Sequence, residues 1–390
     1  MAALSNSFAS IFHRRSSLPV LVLSLALTGA ATAGAVSGCT TTVTPSGDSD
    51  AGTDSGTTTD SGSTPIKLEG LRDDWRERAG GYLEMRSDKW VKSPPKISNV
   101  PCAMSCHTTF PYSLARHSIA TKMATPAGDA ARAAFEARVA LGAGATPFYG
   151  KDGDAKTKES LATEALLNGV SLAMDEVWSK KALSAQSKAA FERMWATQSA
   201  DGTWAWLEFK LEPWETRNDF GAAMAIMVLG SIPADSTPSQ AANTAKVVSY
   251  VKSRLTTMAF HDRVITLWAS SFMKDALTAE ERDGIAAQIV AKQLEDGGFS
   301  AGGWGKGALA SDVASISDGY ATAIAALALC GEPSRKAETQ KALAWLGKSQ
   351  AEDGSWPGQS VNVKDAQNRT FMTDAATAYA VLALTHCAGL

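Results

Sequence analysis

A turn that recurs along the chain constrains its fold more than any other feature. Each copy begins with Gln, carries Asp-Gly at its fourth and fifth positions and ends in an aromatic residue; the copies start at Gln198, Gln293 and Gln350. A charged helix pattern precedes the last copy, and an almost wholly apolar helix follows its polar loop. A helix that is apolar on all sides is buried, whereas a helix with a charged face can meet water. Each unit is therefore an outer helix, a turn and an inner helix.

The start of the inner helix recurs six times, and most copies carry an acidic residue there. The marker residues are His107, Glu164, Asp219, Asp262, Asp318 and Asp374. Subtracting consecutive numbers gives spacings of 57, 55, 43, 56 and 56 residues. A near-constant period of this size predicts a helical repeat array. Six paired helices can also close into a barrel, and we predict an all-α fold of six outer/inner helical hairpins for residues 67–390.

The last copy resembles a motif of a known superfamily. Residues 341–356 read Lys-Ala-Leu-Ala-Trp-Leu-Gly-Lys-Ser-Gln-Ala-Glu-Asp-Gly-Ser-Trp, which is similar to the QW motif of the terpene cyclase and prenyltransferase superfamily, the squalene-hopene cyclases among them. Ala342 stands where the family prefers Gly, and the copies at Gln198 and Gln293 keep only the turn half. The resemblance covers residues 68–390 and implies an (α/α)6 toroid, six outer/inner helical hairpins around a central cavity.

The first 39 residues have the pattern of a bacterial lipoprotein signal peptide. A basic segment around Arg14 and Arg15 precedes an apolar stretch, and the segment ends in Val36-Ser-Gly-Cys39, which resembles the lipobox. We therefore predict that the chain is cleaved before Cys39, that lipid is attached to its thiol, and that the protein is anchored in the bacterial cell envelope. An ordinary signal peptide with a chance Cys is the alternative.

Residues 40–66 consist almost entirely of Thr, Ser, Gly and Asp. Such a segment cannot bury enough apolar surface to offset the entropy of ordering it, so we predict a flexible linker between the membrane and the toroid. No later apolar run reaches the roughly 20 residues that a membrane helix needs without charge or Gly interruption. The net charge of −3 gives no electrostatic reason to expect nucleic acid as a partner.

Two cysteines and a histidine, all of which can bind a metal or a cofactor, lie close together in the segment Cys102-Ala-Met-Ser-Cys106-His107-Thr. A Cys pair that ends in Cys-His is the form used for covalent c-type haem, in which two thioethers hold the ring and the His ligates iron. The usual motif has two residues between the cysteines, and this one has three. The segment also resembles a group of bacterial squalene-cyclase-like proteins with Cys-x-x-Cys-His-Thr, from which the inserted residue departs.

Two main interpretations of this motif stay open. One is a haem c held by Cys102, Cys106 and His107, which would imply an electron-transfer partner. The other is a disulfide between Cys102 and Cys106, natural in an oxidising compartment. A metal site is the weaker alternative, because the zinc ligands of protein prenyltransferases find no match here. Cys330 and Cys387, 57 residues apart, can form a disulfide if their Cα atoms come within about 7 Å, and two free buried thiols are the equal alternative.

The acidic markers suggest a second constellation. If each begins an inner helix, then Glu164, Asp219, Asp262, Asp318 and Asp374 should converge with His107 on one mouth of the toroid. Each can be no more than a helix cap, since helix N-termini attract carboxylates. A carboxylate whose pKa is raised by its neighbours would instead be a general acid, and the five are our candidate catalytic residues.

Squalene cyclisation itself is unlikely on sequence grounds. Class II terpene cyclases use an Asp-x-Asp-Asp segment, and the chain has none. Two function classes remain: an envelope lipoprotein whose cavity binds a hydrophobic or glycan ligand, with or without haem, and an enzyme, either an atypical terpenoid cyclase or a polysaccharide-cleaving protein that uses the acidic mouth. The loops at residues 207–217 and 300–317 are candidate lids over that mouth.

Overall fold

The computed structural model describes residues 68–93, 104–120, 129–147, 149 and 154–389. The predicted signal peptide, the linker, the lipidation site Cys39 and Cys102 lie outside these residues, so the domain boundaries before residue 67 stay predictions. The part of the chain that is described contains no β-strand, only two isolated bridges. The α-helices, in chain order, are α1 Trp75–Lys92, α2 Thr109–Ala120, α3 Asp129–Ala140, α4 Asp154–Trp178, α5 Ala185–Ala196, α6 Asp219–Ser231, α7 Gln240–Arg254, α8 Phe260–Ser270, α9 Ala279–Val290, α10 Ala310–Val313, α11 Gly319–Cys330, α12 Lys336–Lys348 and α13 Ala366–His386.

Six of these helices form a closed inner ring. Helices α2, α4, α6, α8, α11 and α13 each contact the next, and α13 contacts α2. Helices α5, α7, α9 and α12 pack outside, each against the inner helix that precedes it in the chain, and α1 packs against α2 and α13. The predicted all-α toroid of outer and inner helices is confirmed.

The difference in burial between inner and outer helices follows from their sequences. Nearly every residue of α6 and α11 is buried, because both are rich in Ala, Leu, Ile and Met and carry almost no charge. Helix α12 buries only five residues, which lie on one face, and presents Lys and Glu to solvent. Burial on all sides requires apolar side chains on all sides, so this contrast is what the repeat pattern predicts.

Each recurrent turn makes the same set of bonds. The side-chain amide of Gln350 donates to the carbonyls of Gly354 and Trp75, at 3.1 and 2.9 Å. Gln198 and Gln293 bond in the same way to their own turn and to the outer helix of the next unit. In the last unit this outer helix is α1, the first of the chain, so the third turn closes the ring.

Some helices begin earlier or later than the sequence pattern indicates. Helix α1 begins at Trp75, after a turn in which Gly70 has a φ of +83°. Asp374 does not cap an inner helix: α13 begins at Ala366, and the Asp365 carboxylate caps it by accepting from the Asn368 amide. Glu164 likewise lies inside α4. Both helices continue towards their N-termini through polar residues, which the search for apolar runs does not detect.

Two cysteines join neighbouring inner helices. Cys330 at the end of α11 and Cys387 after α13 form a disulfide, with their Cα atoms 5.7 Å apart. The bond lies where the period of the repeat brings the two helix ends together, so the disulfide that the spacing suggested is confirmed. Among the described helices, none combines the length and apolar character needed to cross a bilayer.

Candidate functional site

Aromatic side chains fill the middle of the ring. Tyr320 of α11 contacts Tyr379 of α13 and His261 of α8, with ring centroids 5.6 and 5.9 Å apart. Phe220 of α6 continues this chain from His261 to Phe110 of α2. The open space therefore lies at one end of the ring, near the residues at which α2 and α6 begin.

This space is a cavity of about 320 Å³. Helices α4 and α13 extend beyond the starts of their neighbours and form two of its walls, and the loop at residues 207–215 covers it. Its lining is largely aromatic and aliphatic, with polar and acidic groups among the rings; it comprises Trp90, Met104, Ser105, Cys106, His107, Tyr149, Thr163, Glu164, Leu167, Leu207, Phe209, Leu211, Glu212, Trp214, Glu215, Ser360, Asn362, Gln367, Asn368, Phe371 and Met372.

His107 lies among three aromatic rings of the cavity wall. Its imidazole stacks on Phe371 at a centroid distance of 4.0 Å, and the edge-on ring of Trp90 lies at 5.0 Å. Trp214 of the covering loop lies at 6.3 Å. Burial among these rings, with Arg86 nearby, lowers the pKa of His107 to about 3. The imidazole is therefore neutral at physiological pH.

A chain of hydrogen bonds fixes the tautomer of His107. The Thr108 hydroxyl donates to Asp374 Oδ2 at 2.7 Å, so it has no second proton to give to the imidazole. His107 Nδ1 lies 2.9 Å from the same hydroxyl oxygen, which favours the tautomer in which Nδ1 carries the proton and donates it; the Ser105 hydroxyl lies farther from Nδ1, at 3.3 Å. The other nitrogen, Nε2, keeps its lone pair and makes no hydrogen bond within the described residues.

Asp374 is the last acceptor in this series of hydrogen bonds and the centre of a buried hydrogen-bond network. Arg86 donates to both of its carboxylate oxygens, at 2.7 and 2.9 Å, and the Tyr82 hydroxyl donates at 2.9 Å. Burial raises the pKa of Asp374, and Arg86, Thr108 and Tyr82 act against that rise. This network joins α1, the start of α2 and α13. It therefore fixes the position of His107 through contacts with the first and last units of the ring.

The carboxyl group of Glu215 stands apart from the other acids of the cavity. The backbone of Glu215 forms a short antiparallel bridge with that of Leu211, and both residues line the cavity. Its carboxyl group makes neither an ion pair nor a hydrogen bond with the residues that the structure describes. Burial raises its pKa to about 7, and Lys156 alone acts against this rise. A substantial fraction of Glu215 is therefore protonated at neutral pH.

Asn362 of the cavity wall and side chains at the two ends of the covering loop hold this loop in place. The Asn362 amide accepts from the Glu212 backbone N–H at 3.1 Å and donates to the Glu212 carbonyl at 2.7 Å. Arg217 bonds to both carboxylate oxygens of Glu212, each at 3.0 Å, and to Asp262 at 2.9 Å. The Trp206 indole donates to the Trp214 carbonyl at 2.6 Å. The loop is thus a fixed wall whose backbone positions Trp214 and Glu215.

The structure separates the five predicted acids from one another. Glu164 lines the cavity, but Arg138 neutralises it through two bonds of 2.6 and 2.7 Å. Asp219 accepts from the Tyr250 hydroxyl at 2.6 Å, with Arg254 at 3.6 Å.

The remaining acids also have fixed partners. Asp262 pairs with Arg217 and His261, and Asp374 pairs with Arg86. Asp318 caps α11 by accepting from the backbone amides of Ala321 and Ala301. Burial raises the pKa of Asp318 to about 7. Their catalytic role stays a prediction, and of the five only Glu164 lines the cavity.

The sequence patterns missed Glu215, Phe371 and Arg86. Glu215 lies in a loop that was predicted to cover a mouth, and residues 207–215 do line the cavity. The second predicted lid, residues 300–317, does not contribute to its lining. Trp214 and Glu215 line the same cavity as His107, which lies more than a hundred residues earlier in the chain. The closed ring brings these residues together, and no local sequence pattern predicts this.

The predicted haem site can be tested against the described residues only in part. A neutral His107 with an unprotonated Nε2 fits an iron ligand, and Cys106 lines the same cavity. Cys102, the second thioether, lies outside the described residues, so haem and disulfide both stay predictions. No group of three His, Cys, Asp or Glu side chains in the described ranges could hold a metal ion.

Comparison with known proteins places part of the chain in a family. Residues 240–388 match the family described as the prenyltransferase alpha-alpha toroid domain. Among curated proteins, none matches the chain. The matched region runs from α7 to the end of α13 and includes two of the three recurrent turns.

Several solved structures match the chain at low identity and with TM-scores below 0.5. The type II terpene cyclase MstE from Scytonema is 12% identical over 79% of this chain and 98% of its own, with a TM-score of 0.48. The ent-copalyl diphosphate synthase from Streptomyces platensis is 14% identical over 72% of this chain, with a TM-score of 0.46. The chain spans 50% of that synthase. A possible GH105 family member from Salmonella enterica is 12% identical over 80% of this chain and 82% of its own, with a TM-score of 0.33.

The family match covers the last three units, and the closed ring of helices extends the same plan through the first three. Residues 240–388 thus match the prenyltransferase alpha-alpha toroid domain, and the described helices together have the α/α toroid fold.

Proposed function

We propose that this protein is a lipid-anchored protein of the bacterial cell envelope whose toroid binds a sugar ring of a glycan in the cavity beside His107. The observation that carries the proposal is the combination of exposed aromatic faces and hydrogen-bonding groups in one cavity. Trp90, Tyr149, Phe209 and Phe371 are each only partly buried and line it. A volume of about 320 Å³ lies at the lower end of the range of small-molecule pockets.

The polar groups of the cavity favour a glycan over a purely apolar chain. A pyranose ring has C–H faces that stack on aromatic rings and hydroxyl groups at its edge that need polar partners. The cavity supplies such partners in Glu215, Gln367 and the Nε2 atom of His107. A purely hydrocarbon ligand would leave these groups desolvated without hydrogen bonds, at a cost of about 1–3 kcal/mol for each group.

Two observations support the proposed location. The sequence of residues 1–39 has the signal-peptide pattern with Cys39 at its end, and the Cys330–Cys387 disulfide suits an oxidising compartment. If the anchor is attached at Cys39, the Cys39→Ala variant should appear in the soluble envelope fraction, whereas the unchanged protein should remain with the membranes. Cys330→Ala is the matched control, and membrane association of both variants would contradict the proposal.

Ligand binding can be measured by titrating the full-length protein, purified in detergent, with a panel of neutral and acidic oligosaccharides while following its tryptophan fluorescence. We expect at least one member to bind, and we expect Phe371→Ala to weaken its binding about tenfold or more, because the variant removes a face on which the ring stacks. Phe272→Ala is the matched control, since Phe272 is partly buried against Trp268 and does not line the cavity.

Two results would contradict glycan binding. One is that no oligosaccharide of the panel binds while a long-chain isoprenoid alcohol does, which would assign the cavity to apolar ligands. The other is equal affinity of the unchanged protein and Phe371→Ala, which would place the ligand elsewhere on the toroid. A folding control by circular dichroism confirms that both variants keep their helices.

A further inference from the structure

A second space lies beside the cavity, between the last turns of α1 and the first turns of α13. It is a groove of about 460 Å³. Arg86, Lys89 and Trp90 of α1 line it, together with Ser93 just after the helix. Their spacing of three and four residues places the first three on one face of α1. The opposite wall is the start of α13, with Ala366, Gln367, Thr370 and Phe371.

Lys89 gives this groove a positive charge that no neighbouring acid compensates. The side chain of Lys89 is exposed, and its ammonium group forms neither an ion pair nor a hydrogen bond with the residues that the structure describes. The adjacent acid of α1, Asp88, pairs instead with Lys92 at 2.8 Å. Among the described residues, no Asp or Glu lines the groove. The groove is therefore suited to an anionic group.

Arg86 adds a hydrogen-bond donor to the same wall. Its Nε and Nη2 atoms donate to Asp374 at 2.7 and 2.9 Å, so this ion pair as a whole is neutral. The third nitrogen, Nη1, makes no hydrogen bond with any residue that the structure describes. Arg86 and Lys89 are three residues apart on one helix, a separation that places their Cβ atoms about 5–6 Å from each other. Both side chains can therefore reach a single anionic group.

The groove and the cavity beside His107 share one wall. Trp90, Gln367 and Phe371 line both spaces. The rings of Trp90 and Phe371 pack edge to face with their centroids 5.8 Å apart, and each ring is only partly buried. The amide of Gln367 is exposed. Two consecutive sugars of one glycan can therefore lie on the two sides of this wall, one in the cavity and one in the groove.

We propose that the groove binds an acidic sugar of the glycan, with Lys89 as the group that recognises its charge. This inference rests on the proposed function, because the sugar in the groove is the neighbour of the sugar that the cavity binds. It names the class of ligand, a glycan that carries carboxylate or sulfate groups. A neutral glycan gains nothing from Lys89, whereas an anionic group gains charge-assisted hydrogen bonds, which are about twice as strong as neutral ones.

The test uses matched pairs of oligosaccharides in the tryptophan-fluorescence titration of the full-length protein. Each carboxylated oligosaccharide is paired with its carboxyl-reduced form, and each sulfated one with its desulfated form. We expect the tightest binder to be an acidic member, and its neutral counterpart to bind about tenfold more weakly. Comparison of the two kinds of pair shows which anionic group the groove accepts.

The Lys89→Gln variant should remove this preference. It should weaken the binding of the acidic oligosaccharide about tenfold and leave that of the neutral counterpart within about twofold, because only the acidic sugar has a group that Lys89 recognises. Lys89→Arg keeps the charge and should retain most of the affinity. Lys92→Gln is the matched control, since Lys92 lies on the same helix, pairs with Asp88 and does not line the groove.

The dependence of binding on ionic strength gives a second measurement. Raising the salt concentration from about 0.01 to about 1 M shortens the Debye length from about 30 to about 3 Å. Over this range the affinity of the unchanged protein for the acidic oligosaccharide should fall about tenfold, and that of Lys89→Gln should fall less. The affinity for the neutral counterpart should stay nearly constant.

Two outcomes would overturn the inference while leaving the proposed function intact. In the first, the neutral member of every pair binds as tightly as the acidic one. In the second, Lys89→Gln and Lys92→Gln bind the acidic oligosaccharide with equal affinity. A failure of every oligosaccharide to bind, whether acidic or neutral, would instead overturn both, and the titration of the unchanged protein identifies that case before any variant is measured.

Discussion

Replacing Asp374 with alanine should lower the free energy of unfolding by about 3–5 kcal/mol, the cost of leaving a buried cation without its partner. The side chain of Asp374 is fully buried, and that of Arg86 is 13% exposed. Besides Arg86, the variant also deprives the hydroxyls of Tyr82 and Thr108 of their acceptor. Urea denaturation followed by circular dichroism measures the change.

A surface ion pair provides the control for this prediction. Asp312 pairs with Lys364 at 3.0 Å, and both side chains are exposed, so Asp312→Ala should change the free energy of unfolding by less than about 1 kcal/mol. Replacing Arg86 by methionine together with Asp374 by leucine removes both charges and should recover part of the loss. Equal stabilities of Asp374→Ala and Asp312→Ala would mean that the hydrogen-bond network around Asp374 does not hold the first and last units together.

The Gly354→Ala substitution should lower the free energy of unfolding by about 2–5 kcal/mol. Gly354 has a φ of +90°, where a side chain costs about 1–2 kcal/mol. A Cβ atom there would also come within 2.3 Å of the Arg78 backbone in α1, and overpacking of this kind costs about 1–3 kcal/mol. The backbone cannot yield as the end of a side chain can, so the turn must move away from α1. Thermal or urea unfolding of the variant measures this loss.

Gly81 of α1 allows a matched comparison, because the same substitution should have the opposite sign there. A Cβ atom at Gly81 meets nothing within 4 Å, and alanine is favoured over glycine inside a helix by about 1 kcal/mol. Gly81→Ala should therefore stabilise the protein slightly. If Gly354→Ala were as stable as Gly81→Ala, the close approach of the last turn to α1 would be wrong.

The sequence predicts the fold well because the repeat expresses it six times over. Inner helices α6 and α11 are apolar on every side. The three turns share Gln, Asp-Gly and an aromatic residue, each of which has a physical task. Gly202, Gly297 and Gly354 all have positive φ, and the Gln of each turn donates to a backbone carbonyl in the outer helix of the next unit. Because the same residues are needed at the same positions of each unit, the sequence of each unit predicts its part of the fold.

The site is less predictable because its residues are not repeated. His107 is marked by its Cys-His neighbourhood, but its orientation depends on Asp374, 267 residues later, and on Phe371. Asp374 resembles a helix cap in sequence and is an ion-pair partner in the structure, because α13 begins eight residues earlier. Glu215 has no sequence signal besides its place in a loop, and its raised pKa results from burial that only the assembled ring provides.

The bonds of Gln350 to Trp75 and Gly354 have a consequence for how the toroid comes apart. In an open array of repeats the end units have one neighbour each and can fray, so that unfolding proceeds inwards. Here Gln350 of the last turn donates to the Trp75 carbonyl of α1, as the Gln of each earlier turn donates to the outer helix of the next unit. Helix α13 also contacts α2. The toroid therefore has no end unit, and loss of any one hairpin exposes two apolar faces at once. Such a ring is expected to melt as a single cooperative body.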